Sequence, residues 1–157
     1  MEKEKWMKEA LKEAKKAFEI DEVPVGCVIV LDGKIIARGH NLREKSNDPT
    51  AHAEIVAIRK ATKKLSSWRL ENCDVYVTVE PCSMCAGALL WCRVRSIIYG
   101  AKEPKGGALG SSYNLFEQPN LNHHPYIEGA VLKEECASLM KEFFKRKRNR
   151  IETVIKG

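Results

Sequence analysis

Long apolar runs are missing from this sequence. None approaches the roughly 20 residues that a bilayer-spanning helix needs, which excludes that class of membrane protein. The opening segment, MEKEKWMKEALKEAKKAF, lacks both the apolar stretch and the small-residue cleavage site of a secretory leader. We therefore expect a cytoplasmic protein. There is no internal repeat and no low-complexity segment, so solenoids and linker-rich chains are excluded. Nor is there the apolar poverty of a disordered chain: 44% of the residues are hydrophobic and 31% charged. At 157 residues the chain fits one domain, 1–157, with one sizeable core.

The six cysteines are not matched by any sign of secretion. A metal site or catalysis then explains such residues better than a disulfide framework. Cys27 lies in the apolar run VPVGCVIV and reads as a small core residue, as do Cys73, Cys92 and Cys136. Lys and Arg number 27 against 21 Asp and Glu, a net charge of +6. The excess is concentrated near the end. KEFFKRKRNR, residues 141–150, is either a phosphate-contacting surface or the solvated basic end of a helix.

Periodicity supplies the elements. Trp6, Leu11, Ala14 and Phe18 predict an amphipathic helix over 2–19. VPVGCVIVL (23–31) and KIIARGH (34–40) are strands joined by Asp32-Gly33, a strong hairpin signal. A helix follows over 50–66, a strand over 74–79, a helix over 82–91 and a strand over 95–100. Residues 101–125 form a long Gly-, Ser-, Pro- and Asn-containing connection, with SYNLFE as a short helix. A strand near 126–132 and a helix over 133–150 close the chain. This alternation argues for a mixed sheet with helices on both faces.

Two short motifs carry chemistry. Cys82 and Cys85 stand three apart where a helix starts, so their sulfurs share a face, and the helix N-terminus favours thiolates. Two sulfurs leave a tetrahedral zinc two ligands short. His52, at another helix start, supplies the third, and the open fourth position is the mark of a catalytic zinc site. Zinc lowers the pKa of its bound water towards about 7. Glu54, two residues from His52, is then the carboxylate that takes the released proton and later delivers it to a leaving group. Residues i and i+2 do not share a face of an ideal helix, so both reach one ion only if it lies off the helix end. A CxxC alone also fits a thioredoxin-like redox pair. HxE followed by PCxxC is the signature of zinc deaminases.

With HAE and PCSMC the sequence resembles the cytidine/deoxycytidylate deaminase superfamily, and more closely the bacterial tRNA-specific adenosine deaminases. EVPVGCVIV, HN at 40–41, DPTAHAEI, WRLENCDVYVTVEPCSMCAGAL, RSIIYGA, GGALGS, LNHH and KEFFKRKR fall in that family's order and cover nearly the whole chain. The resemblance implies an α/β fold: a three-layer α/β/α sandwich with a five-stranded mixed sheet, cytidine deaminase-like, forming a homodimer. It implies one zinc per subunit held by His52, Cys82 and Cys85, with Glu54 moving protons. Asn41 would hydrogen-bond a base, with Val25 and the Ala53 backbone lining its pocket. The implied reaction converts the wobble adenosine of an arginine tRNA anticodon to inosine, on a nucleotide splayed out of a single-stranded loop. Lys141, Lys145, Arg146, Lys147 and Arg148 would grip the RNA backbone, with Phe143 and Phe144 both in the core. Cys27 and Trp91 depart from the family's usual small or aliphatic residues, and His123 and His124 are expected not to bind metal. Two rivals share the zinc site: a deaminase of free bases, nucleosides or nucleotides, and a non-catalytic zinc-stabilised RNA-binding module.

Overall fold

A computed structural model of the chain describes residues 2–156. Among these residues are five α-helices and five strands. Helix α1 (Glu2–Glu19) leads into strands β1 (Gly26–Leu31) and β2 (Lys34–His40). The one-turn helix α2 (Arg43–Ser46) and helix α3 (Ala53–Leu65) follow, then β3 (Asp74–Val79), α4 (Ser83–Trp91) and β4 (Ser96–Ala101). After a long connection with a 3-10 turn at Leu115–Glu117 come β5 (Tyr126–Glu128) and α5 (Lys133–Lys156).

The strands form one mixed sheet in the order β2-β1-β3-β4-β5. β1 pairs antiparallel with β2 and with β3, while β3–β4 and β4–β5 are parallel. The β1–β2 turn is as tight as its residues predict: Asp32 (φ 50°) and Gly33 (φ 73°) both take left-handed conformations. Helices cover both faces of the sheet. Strand side chains alternate, so Cys27, Ile29, Val75 and Val77 pack with α3 and α4 residues such as Ala57 and Leu89. Val28, Val30 and Tyr76 pack on the opposite face with Trp6, Met7 and Leu11 of α1 and Cys136 of α5. Burial on both faces explains why the central strands read as continuous apolar runs rather than as alternation. The sandwich and five-stranded sheet expected from the sequence are the observed architecture.

Two close approaches seat α1 and α3 on the hairpin. A Cβ at Gly26 would strike the Ala10 carbonyl of α1, and one at Gly39 would strike the Ala53 carbonyl of α3. Cys27 pairs with Gly39 across the hairpin, so both helices are clamped onto the same end of it, from opposite faces. That end carries Val25 and Asn41.

Two expectations about elements need correction, and one short element was not expected. The last helix runs to Lys156, not to 150, because IETVIK contains neither Gly nor Pro to stop it. The last strand is only Tyr126–Glu128, since Gly129 and Ala130 turn away with Ala130 at φ 67°. Helix α2 is too short to show a periodicity. Among the described residues no helix is long and apolar enough to cross a membrane.

Candidate metal centre and active site

His52 is the residue capping α3 at its N-terminus and Cys82 the residue capping α4. Both have extended backbones, with φ/ψ of −74°/158° and −76°/177°. Neither side chain turns back to bond its own helix. They face each other instead. His52 Nδ1 lies 3.7 Å from Cys82 Sγ and 3.6 Å from Cys85 Sγ. A tetrahedral zinc, with bonds of about 2.3 Å to sulfur and 2.0–2.1 Å to nitrogen, sets those ligand atoms about 3.6 Å apart. The donor set and its spacing therefore fit a zinc ion. It is the one group of three such ligand side chains among the described residues. Because His52 precedes the first helical residue, the ideal-helix objection to pairing it with Glu54 does not apply.

The charges suit a cation. A hydrogen bond from the Cys85 thiol, with help from His52, holds the Cys82 thiol down to about 4 against the cost of burial. The same hydrogen bond and burial push Cys85 up. Left to themselves the two sulfurs share one proton, whereas a divalent cation lets both ionise. The positive ends of α3 and α4 both point at this cluster.

Glu54 sits on the first turn of α3 and is 3% exposed. Burial pushes its carboxyl up to about 7, and the neighbouring Cys82 charge acts in the same direction. Its carboxyl is within hydrogen-bonding reach of the Cys85 thiol. A group that gains and loses a proton near neutrality, beside a cluster of metal ligands, is equipped for general acid–base work.

Asn41 follows the last residue of β2. Its backbone N–H donates to the Val25 carbonyl at 3.2 Å, and the Leu42 N–H donates to the Ala51 carbonyl at 2.9 Å, beside His52. The residue is 5% exposed, yet its side-chain amide makes no hydrogen bond among the described residues. No side-chain polar atom there is sealed away without a partner, so the amide keeps an opening. An almost buried amide left unpaired by the protein is suited to pair with a ligand. Val25 is half-buried against the core and Ala53 fully buried. The structure thus brings together His52, Ala53, Glu54, Cys82 and Cys85, with Val25 and Asn41 on the adjoining hairpin end.

This architecture has relatives. The MafB19-like deaminase family matches residues 1–148. The tRNA-specific adenosine deaminase of Bacillus subtilis strain 168 is 49% identical over 147 residues, 94% of this chain and 91% of that one. The tRNA-specific adenosine deaminase of Aquifex aeolicus VF5 is 48% identical over 151 residues, 96% of this chain and 99% of that one. The chain belongs to the tRNA-specific adenosine deaminases. Within that family of enzymes, a structure from a study of A-to-I editing by tRNA:A34 deaminases at the wobble position superposes with a TM-score of 0.83 at 48% identity, covering 85% of this chain and 97% of that one. A guanine deaminase from Bacillus subtilis is more distant: TM-score 0.62, 35% identity and 93% of each chain covered.

The five basic residues predicted to contact RNA do not all lie on one surface. Arg146 lies over the Phe18 ring at 4.3 Å and Lys147 over the Phe143 ring at 5.3 Å. Arg146 thus reaches across to α1, while Lys147 lies along its own helix. Lys141 and Arg148 instead line a groove of about 460 Å³ with Met140, Phe144, Glu103 and Pro104. Lys145 is exposed. The expectation that both phenylalanines are core is corrected: Phe143 is buried at 1%, but Phe144 is 42% exposed, because adjacent helical residues point about 100° apart. His123 hydrogen-bonds the Val94 carbonyl through Nε2 at 2.6 Å, away from the metal ligands. Sequence reasoning missed three buried acids, Glu13, Glu22 and Glu80, of which the last two hold backbone N–H groups. Glu22 accepts the Glu44 and Lys45 N–H groups at the start of α2. Glu80 accepts several N–H groups of the long connection. Glu80 stands in EPCSMC, beside the motif, but its partners lie more than twenty residues away.

Proposed function

We propose that this protein is a zinc-dependent hydrolase that removes the 6-amino group of the wobble adenosine in a tRNA anticodon, an arginine tRNA in the first instance, giving inosine. His52, Cys82 and Cys85 hold one zinc per subunit. When bound there, zinc supplies water activated at neutral pH. Glu54 is the catalytic residue: its carboxylate takes the proton of the attacking water and passes it to the purine ring nitrogen. The carboxylate then takes the second proton, from the hydroxyl now on C6, and delivers it to the amine, which leaves as ammonia as the C6–N bond breaks and the C6 carbonyl forms. Asn41 hydrogen-bonds the splayed-out base, between Val25 and the Ala53 backbone. Lys141, Lys145, Arg146, Lys147 and Arg148 supply positive charge to the RNA backbone, with Lys141 and Arg148 best placed. The whole chain, 1–157, acts as a single domain in the cytoplasm.

The observation that carries this reading is the buried Glu54 carboxyl beside a nitrogen–sulfur–sulfur trio of tetrahedral spacing. A structural zinc site has no use for such a carboxyl, which disfavours a mere RNA-binding module. The enzyme acts as a homodimer. Helix α4 is apolar on all sides, and its outward residues Met84, Gly87, Ala88 and Trp91 recur at helical spacing, with Trp91 70% exposed. A second copy would cover that face.

The second reading, a free-base deaminase, is favoured by the likeness to solved guanine deaminases. One experiment separates the two. Zinc-loaded protein is given an arginine tRNA anticodon stem-loop with a wobble adenosine, and separately adenosine, cytidine and guanine at matched concentration. Inosine formed only in the RNA is the expected result. Turnover of a free base or nucleoside with the RNA intact would keep the zinc site and overturn the substrate.

A further inference from the structure

The chemistry above leaves the GGALGS segment, residues 106–111, without a role. Its backbone is nonetheless held by an unusual partner. Glu80, 3% exposed, lies two residues before Cys82. No lysine or arginine pairs with it among the described residues. Its carboxylate accepts instead from the backbone N–H groups of Glu103 at 3.2 Å, Leu109 at 2.9 Å and Ser111 at 3.1 Å. The Ser111 hydroxyl also donates to it. A buried carboxylate is costly unless all its donors are in place. The four donors and the acid therefore hold one another to a single arrangement.

The neighbouring bonds show what this arrangement joins. The Ala108 N–H donates to the Pro81 carbonyl at 2.9 Å, one residue from Cys82. The Glu80 N–H donates to the Ala101 carbonyl at 2.8 Å, where β4 ends. Gly107 passes so near that a Cβ there would lie 2.5 Å from the Glu80 carboxyl carbon. The start of the same loop, at Lys102, Glu103 and Pro104, walls the groove that also holds Phe144, Lys141 and Arg148. One end of the loop thus abuts the metal-bearing turn and the other abuts the basic groove of α5.

From this geometry we infer that Glu80 is a positioning residue: it latches loop 103–111 to the turn carrying Cys82 and so sets the loop as a fixed wall between the metal centre and the basic groove. The wall is formed before RNA arrives, so the substrate does not bear the entropy of ordering it. The latch acts on RNA binding more than on the chemical step. This rests on the function proposed above.

Two variants test it. Glu80→Gln keeps the shape but turns an NH2 group towards N–H donors, and Ser111→Ala removes one donor while leaving the carboxylate and its three N–H bonds in place. In Glu80→Gln, hydrogen exchange is expected to speed up at the amides of Glu103, Leu109 and Ser111 while β3 and β4 stay protected. Zinc should remain stoichiometric. KM for the anticodon stem-loop should rise about 10- to 100-fold, with kcat changed by no more than about threefold. Ser111→Ala should move the same quantities less, and adding it to Glu80→Gln should change little further. An unaltered exchange pattern, or loss of activity that tracks loss of zinc, would overturn the latch. Should the wild type form no inosine, the functional reading fails by itself, and the latch stands or falls on the exchange pattern alone.

Discussion

His52 and Cys82 hold equivalent places in unrelated segments, each just ahead of a helix and each with its side chain turned outward. That equivalence lets a single residue, Glu54, stand one step inside the helix and still face the cluster. Glu54→Gln preserves volume and removes the acid. We expect it to fold and keep its zinc while the rate of inosine formation falls by about 10²- to 10⁴-fold, measured beside metal content. The same substitution has a stability consequence in the metal-free protein. The folded carboxyl titrates at about 7, against an ordinary value of 4.5. Between those values the folded state binds the extra proton, so metal-free stability falls as pH rises from about 4.5 to about 7. Above that window the charged carboxylate costs roughly 3 kcal/mol. Metal-free Glu54→Gln should therefore be the more stable protein in urea at pH 8, with the advantage fading towards pH 4.5.

At the scale of elements, the site depends on short pieces held by distant acids. Helix α2 is a single turn with no buried residue of its own. It is tied down by the fully buried Glu22, whose carboxylate accepts from Glu44 N–H at 3.0 Å and Lys45 N–H at 2.7 Å. This turn follows directly on Asn41. Replacing Glu22 by Ala removes two charge-assisted bonds and should cost about 1.5–3 kcal/mol in denaturant unfolding. Helix α4 presents the opposite case, since its chemistry is at one end and its apolar outward face runs along its length to the exposed Trp91. Trp91→Glu should leave zinc binding intact and give monomers in sedimentation if α4 is the dimer face. A dimer of unchanged affinity would count against that assignment.

For the whole molecule, the net charge of +6 is divided by the fold. Arg150 is drawn into a pair with Asp21, and Arg146 and Lys147 lie on aromatic rings. Lys141 and Arg148 remain on the groove beside Phe144. If phosphates are gripped there, RNA affinity should fall steeply with salt while zinc content stays constant. The Lys141→Ala, Arg148→Ala double variant should flatten the slope of log K against log salt by about 1–2. A salt-independent affinity would remove the basic groove from the account.

Much of this was legible in one dimension. The hairpin was announced by Asp32-Gly33, the buried strands by their β-branched runs, and the metal ligands by HAE and PCSMC, because each depends on neighbours a few residues apart. The two metal-binding halves could be paired because their chemistry left each incomplete without the other. What the sequence did not carry were contacts that join distant segments through the backbone. Glu80 and Glu22 accept from N–H groups, which every residue but proline possesses, so no residue type marks the partner. Phe143 and Phe144 are the same letter twice, and only the packing of α5 against α1 buried one and left the other at the groove. Sequence by itself determined most of the elements and singled out His52, Cys82, Cys85 and Glu54, the residues that the fold then brings together. Tertiary structure decided how the site is braced and which cations are free, since bracing and burial depend on what folding brings near.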